Sequence, residues 1–230
     1  MTKEIGKLKW WLYLLKRNLL FYKGIKSGLI HSYEKKLIEN LRHVYYGGVP
    51  ASVMLLSTRL CNGHCYDRAL LITLGFEDDD FRLVDADIDG ILLNPEYADD
   101  SKNNKHFANH CFVERKKKDG SVWVYDTSLG LVFDRDLYYQ MEKPRITKVN
   151  DKQAVLDYCE YQDIKNADIE NDKYALPIIL PNIEAVAEVD DGIYCDVLKN
   201  ELELFKQEIG YDSICNEVNE DMMRMGLIRK

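Results

Sequence analysis

"CNGHCYDRALLITLGF", residues 61–76, decides how this chain is read. An Asn62–Gly63 turn leads into a run that starts at Cys65 and carries Ala69, Leu70, Leu71, Ile72 and Leu74. These apolar positions cover most of a helical circumference, and a short helix that is apolar nearly all round belongs in a core. The spacing predicts a central buried helix over 65–74. Gly75 is the expected C-terminal cap, because glycine takes the left-handed conformation at little cost.

Downstream the period changes from helical to alternating. "FRLVDADI" (81–88) reads as a strand. "HCFVERKKKDGSVWVYDTS" (110–128) reads as a hairpin turning at Lys118-Asp119-Gly120. "FDRDLYYQM" (133–141) starts another short helix. A central helix followed by consecutive antiparallel strands predicts an α+β fold.

Both flanks read as helical. Residues 7–22 set Trp11, Leu14, Leu15 and Leu19 at helical spacing, and a second helix is expected from Ser32 to Tyr45 before the break "YGGVP" (46–50). Beyond Asp151 the chain is helical and acidic. Residues 155–161 form one helix, "LPIILP" (176–181) reads as an extended break, and Ile193, Val197, Leu198, Leu202, Phe205 and Ile209 form a helical stripe. No internal repeat is visible. The expected organisation is one domain over 1–230, with a helical N-terminal extension (1–50), a core (51–148) and an acidic helical C-terminal extension (149–230).

The net charge of -8 argues against binding a phosphate backbone, so no nucleic-acid partner is expected. The charge is uneven: +7 over residues 1–50, -4 over 51–150 and -11 over 151–230. Six cysteines in 230 residues are too few and too irregular for a secreted disulfide scaffold. Cys159, Cys195 and Cys215 read as small core residues. "KWWLYLLKRNLLFYKGI" (9–25) is interrupted by Lys16, Arg17 and Lys23, so it falls short of the roughly 18 apolar residues of a membrane span. It reads as an amphipathic helix that packs on its own domain; an anionic membrane surface is the lesser alternative, and membrane contact is not expected. No signal peptide is evident, and a reduced, cytoplasmic protein is expected. The oligomeric state is left open.

The position of Cys65 carries the chemistry. The N–H groups and dipole at a helix N-terminus favour an anion there, and so favour a thiolate. A nucleophilic thiol needs a base, and the base needs an orienting group. Strand alternation sets His110, Phe112 and Glu114 on one face, and Val122, Val124 and Asp126 on one face. A hairpin that pairs Glu114 with Val122 sets His110 opposite Asp126. A buried helix packed there would bring Cys65 to them. Cys61 is the rival nucleophile, but it precedes the turn. His64 reads as a wall or surface residue. The backbone N–H of Cys65 and the Asn62 side chain are candidate oxyanion donors.

"CYDRALLITLGF", "HCFVE" and "VYDTS", in that order, resemble the three motifs of the transglutaminase-like superfamily within the papain-like cysteine peptidase fold. The resemblance covers roughly residues 60–130. It implies a papain-like core, a catalytic triad of Cys65, His110 and Asp126, and acyl transfer through a thioester without a cofactor. Its members include peptidases, amidases, amide cross-linking or deamidating enzymes, and inactive relatives. Cys111 and Phe112 depart from the usual residues after the histidine, and the segment from Gly75 to His110 is long and acidic.

The expected function is a cysteine peptidase or amidase acting on a protein or peptide. Transglutaminase or glutamine deamidase chemistry is the alternative within catalysis. An inactive binding module, metal-stabilised or not, is the alternative outside it. Cys61, His64, Cys65, His106, His110 and Cys111 are zinc-type residues, though their spacing matches no common zinc pattern. "DADIDGILLNPE" (85–96) carries a calcium-loop pattern in Asp85, Asp87, Asp89 and Glu96, but its flanks are not helical. Asp79, Asp80, Asp99 and Asp100 would make an acidic rim favouring basic substrates.

Overall fold

The computed structural model describes residues 2–46, 49–57, 65–77, 80–89, 107–161, 176–189 and 195–228. The chain divides into two compact units, Met1–Tyr33 with Asp79–Lys152, and Glu34–Asp78 with Gln153–Lys230. Each unit therefore interleaves segments that the sequence presents as head, core and tail.

The first unit holds a six-stranded antiparallel sheet. Its strands are β1 (Ile30–His31), β4 (Asp80–Asp89), β5 (Phe107–Lys116), β6 (Val122–Asp126), β7 (Leu131–Asp134) and β8 (Arg145–Asp151). Their spatial order is β1-β7-β6-β5-β4-β8. The α+β class read from the sequence is what the chain adopts. Two helices lie on the sheet face that carries Phe112 and Phe133: α1 (Thr2–Ser27) and α5 (Arg135–Glu142). α5 begins where the Asp134 side chain accepts from Leu137 N–H, an N-cap.

α1 is held by one narrow stripe. The Tyr13 hydroxyl donates to the Met141 carbonyl at 2.8 Å, Arg17 pairs with Glu142 at 3.0 Å, and the Phe21 ring meets Phe133. Gly24 is buried against Ile30 and Leu137. Of the sequence stripe, Trp11, Leu15 and Leu19 point the other way and are exposed, while Leu14 is half-buried. The stripe's helical spacing is correct, but the sheet takes the opposite face, because the aromatic and ionic anchors find partners there.

The second unit contains α2 (Lys35–Leu41), a two-stranded ribbon of β2 (Tyr45–Tyr46) and β3 (Val49–Pro50), α3 (Ala51–Ser57), α4 (Cys65–Thr73), α6 (Lys152–Tyr161), α7 (Leu176–Val189), α8 (Cys195–Ile209) and α9 (Tyr211–Arg224). The helix expected to reach Tyr45 stops at Leu41, because Tyr45 pairs with Pro50 and Ala51 N–H binds the Val44 carbonyl instead. α3 packs against α4, α7 and α8. Leu41, Val53, Ile72, Leu180, Leu202 and Phe205 fill the core.

Two sequence readings are corrected here. "LPIILP" is not an extended break but the first part of α7. Pro177 sits in the first turn, where its missing N–H has no intrahelical partner in any case. Pro181 does remove a ladder bond. Burial of Leu176, Leu180 and Ile183 on one face outweighs that loss. Gly75 ends α4 without a left-handed φ. A Cβ there would stand 2.5 Å from Leu37 Cδ1 and 3.1 Å from the Leu37 carbonyl oxygen, so glycine is required by close approach. The Gly75 carbonyl accepts from Asn40 Nδ2 at 2.8 Å. Gly75→Ala is expected to lower stability by about 1–3 kcal/mol through overpacking. A denaturant titration checks this, and an unchanged midpoint would show that α2 yields without cost.

No described helix is long and apolar enough to cross a membrane. Among the described residues, Cys65, Cys111, Cys159 and Cys215 form no disulfide. Cys159 is buried, as expected of a core thiol, while Cys215 is half-buried.

Candidate active site

The β5–β6 hairpin turns where the sequence indicates. Lys117 N–H binds the Ser121 carbonyl at 2.8 Å, closing a loop in which Gly120 has φ +86° and Asp119 accepts from Ser121. This closure sets the register as Val113↔Tyr125 and Glu114↔Val124. Glu114 therefore faces Val124 and not Val122, a slip of two residues from the expected pairing. Side chains alternate with a period of two, so the slip leaves every residue on its expected face. His110 and Asp126 become diagonal rather than direct neighbours, and the imidazole spans the gap. His110 Nε2 lies 3.1 Å from Asp126 Oδ2, and each side chain is 1% exposed.

Asp126 is fully engaged. Its Oδ2 also accepts from the Tyr138 hydroxyl at 2.8 Å, and its Oδ1 accepts from Ser128 N–H and Leu129 N–H at 2.9 and 3.2 Å. Burial pushes the Asp126 carboxyl up. The His110 charge and hydrogen bond, the Tyr138 hydroxyl and the Leu129 N–H together outweigh burial and hold it below the ordinary aspartate value. It is therefore a carboxylate with a set orientation. Burial, with Asp126 alongside, drives the Tyr138 hydroxyl well above its ordinary value, so Tyr138 acts as a donor only.

α5 supplies residues that the sequence reading passed over. Tyr138 and Glu142 stand one turn apart on its inner face. Glu142 is buried and pairs with Arg17 of α1. Burial raises its carboxyl to about 7; the Arg17 charge and hydrogen bond oppose the rise, and Asp126 adds to it. The available signal was the i, i+4 placement of a tyrosine and a glutamate beside Leu137 and Met141. Nothing local distinguishes that pattern from a solvated face.

Glu114 centres a second polar cluster on the same sheet face. It pairs with Arg82, with Arg135 at 2.9 Å, and with the Tyr139 hydroxyl at 2.7 Å. Burial works against its ionisation, but Tyr139, Arg135 and Arg82 outweigh it and keep the carboxyl below its ordinary value. The Tyr139 hydroxyl is pushed up to about 12 by its own burial and then by Glu114. A cleft of about 500 Å³ opens over this cluster, lined in part by Arg82, Glu114, Lys116 and Arg135. Asp80 and Asp151 also border it, so its charge is mixed rather than uniformly acidic.

Cys65 belongs to the other unit. It is the first residue of α4 and half-buried, with Asp67 exposed in the same turn and residues 68–73 buried. The reading of this stretch as a buried helix therefore holds. Within the sheet unit, the helix over His110, Phe112 and Glu114 is α5. Cys61, Asn62, His64, His106, Asp79, Asp99 and Asp100 lie outside the described residues. Asp85, Asp87 and Asp89 stand on β4, an extended strand, and Glu96 lies outside the described residues. Strand β4 pairs along both edges, and Asp87 meets Arg145 of β8 at 3.4 Å. The described part of the calcium pattern is thus ladder rather than loop. No group of three or more metal-ligating side chains gathers among the described residues.

In comparisons with known proteins, no protein-family model, no curated protein and no solved structure matches this chain.

Proposed function

We propose that this chain is a cysteine-dependent acyl-transfer enzyme, a peptidase or amidase built on a papain-like, transglutaminase-type core. The observation that carries the reading is the buried His110–Asp126 pair, whose carboxylate is held by Tyr138 and two backbone N–H groups. A histidine–carboxylate pair fixed in this way sets which ring nitrogen carries the proton. The start of α4 at Cys65 supports the assignment of the nucleophile, because that is where a helix stabilises a thiolate.

In the proposed reaction, Asp126 keeps the proton on Nε2, and Nδ1 takes the Cys65 thiol proton. The thiolate attacks an amide carbonyl carbon, and the negative charge passes to its oxygen. Collapse of that adduct breaks the C–N bond, and His110 returns the proton to the leaving amine. The acyl group is then a thioester on Cys65. Water, losing a proton to His110, attacks the thioester and releases a carboxylic acid and the thiol.

The test is the pH dependence of iodoacetamide alkylation, read residue by residue by mass spectrometry. Cys65 is expected to react well below the ordinary thiol pKa of about 8.5. In His110→Ala that low-pH reactivity disappears, while half-buried Cys215 behaves identically in both proteins. If Cys65 titrates as Cys215 does, with no response to His110, the reading fails.

A further inference from the structure

The outer face of α1 is apolar and exposed. Its inner stripe, Tyr13, Arg17, Phe21 and Gly24, already joins the sheet unit. The helix is therefore not waiting for a core. Yet Trp11, Leu15, Leu19 and Tyr22 are 67%, 59%, 52% and 56% exposed, and Leu12 and Ile25 are also exposed. At 100° per residue these side chains fall on one side, opposite the anchored stripe. From Trp11 to Ile25 the face runs for about 20 Å.

The charges around this face have one sign. Lys16, Lys23 and Lys26 are exposed beside it, and no acidic residue occurs between Glu4 and Glu34. The chain as a whole is acidic, at -8, so this is a local reversal. Trp and Tyr suit a boundary between water and hydrocarbon, and lysine stems lie along apolar surface while the ammonium reaches outward. Protein interfaces, by contrast, are depleted in lysine. Self-association through this face would bring two sets of lysines together with no carboxylate between Glu4 and Glu34 to offset them.

We infer that α1 seats its outer face in an anionic lipid surface, lying in the plane of the headgroups. Those three lysines, together with Arg17 on the inner stripe, leave the helix too polar to span. The sequence reading set packing on its own domain above contact with a lipid surface. The structure separates the two roles onto opposite faces.

The test is co-sedimentation of the full chain with vesicles. Vesicles of equal parts phosphatidylcholine and phosphatidylserine are expected to bind it, and phosphatidylcholine vesicles are not. Binding should weaken with salt. Each lysine should contribute about fivefold, so that K16Q/K23Q/K26Q loses about a hundredfold. Leu15→Glu/Leu19→Glu should abolish binding and keep its circular dichroism, since both side chains point away from the fold. Cys65→Ala should bind like the wild type, which separates this proposal from the catalytic one. The inference is overturned by absence of binding, by equal binding to both vesicles, or by binding that ignores the lysines. It is also overturned if the chain is oligomeric and Leu15→Glu/Leu19→Glu makes it monomeric, because the face would then be covered by a second copy.

Discussion

Asp126→Asn is expected to lower turnover of an amide substrate by about 10⁴-fold while leaving the chain folded. The direction follows from the hydrogen bonds already in place. Oδ1 accepts from two backbone N–H groups, Ser128 and Leu129, so an asparagine must put its carbonyl oxygen there. Its amide nitrogen then takes the place of Oδ2, facing His110 Nε2 and the Tyr138 hydroxyl. Both of those groups now meet a donor. Nε2 must accept, so the ring proton moves to Nδ1, the nitrogen that takes the thiol proton in the proposed reaction. The imidazole keeps its place and loses that proposed role. The measurement is turnover beside a denaturant midpoint; a folded Asp126→Asn that keeps full turnover would remove the pair from the mechanism.

The second large effect concerns stability and pH, through Glu142. Its carboxyl is raised from 4.5 to about 7 in the folded chain, chiefly by burial. The folded state therefore holds a proton that the unfolded state has released. This contribution to stability is fully present below about pH 4.5 and is lost as pH rises through about 7. A displacement of this size corresponds to roughly 3 kcal/mol. Asp126 acts in the opposite sense: its folded value is depressed, so its contribution is lost only as acid protonates it. Glu142→Gln keeps the shape and removes the titration. Unfolding free energies measured across this interval should fall with pH in the wild type and run flatter in the variant. Equal slopes would show that the buried carboxyl does not titrate where its surroundings set it. The offset between the two proteins is a separate matter, because Gln changes the contact with Arg17.

The legible parts of this chain are those where local pattern and tertiary environment agree. The β5–β6 hairpin could be read because alternation and an Asp-Gly turn specify it without help from elsewhere. The exact pairing could not, since loop closure by Lys117 and Ser121 moved it by two residues. The His110–Asp126 meeting survived that error only because two is the period of the strand. α4 could be read because Ala69 to Ile72 are apolar on every side and belong in a core whatever surrounds them.

What the sequence determined by itself was the helices α1 and α4, the strands β4, β5 and β6, and the side of the β5–β6 hairpin that each residue occupies, because these depend on neighbours a few positions away. Tertiary structure decided the rest. It made a helix of "LPIILP", since burying Leu176, Leu180 and Ile183 outweighs the bond that Pro181 removes. It turned Trp11, Leu15 and Leu19 outward, since Tyr13 and Arg17 find partners more than a hundred residues away. It buried Tyr138 and Glu142 beside Asp126, and it interleaved the head, core and tail of the sequence into two units. Each of these outcomes depends on contacts between residues distant in the chain, and no local pattern encodes which distant surface a side chain will meet.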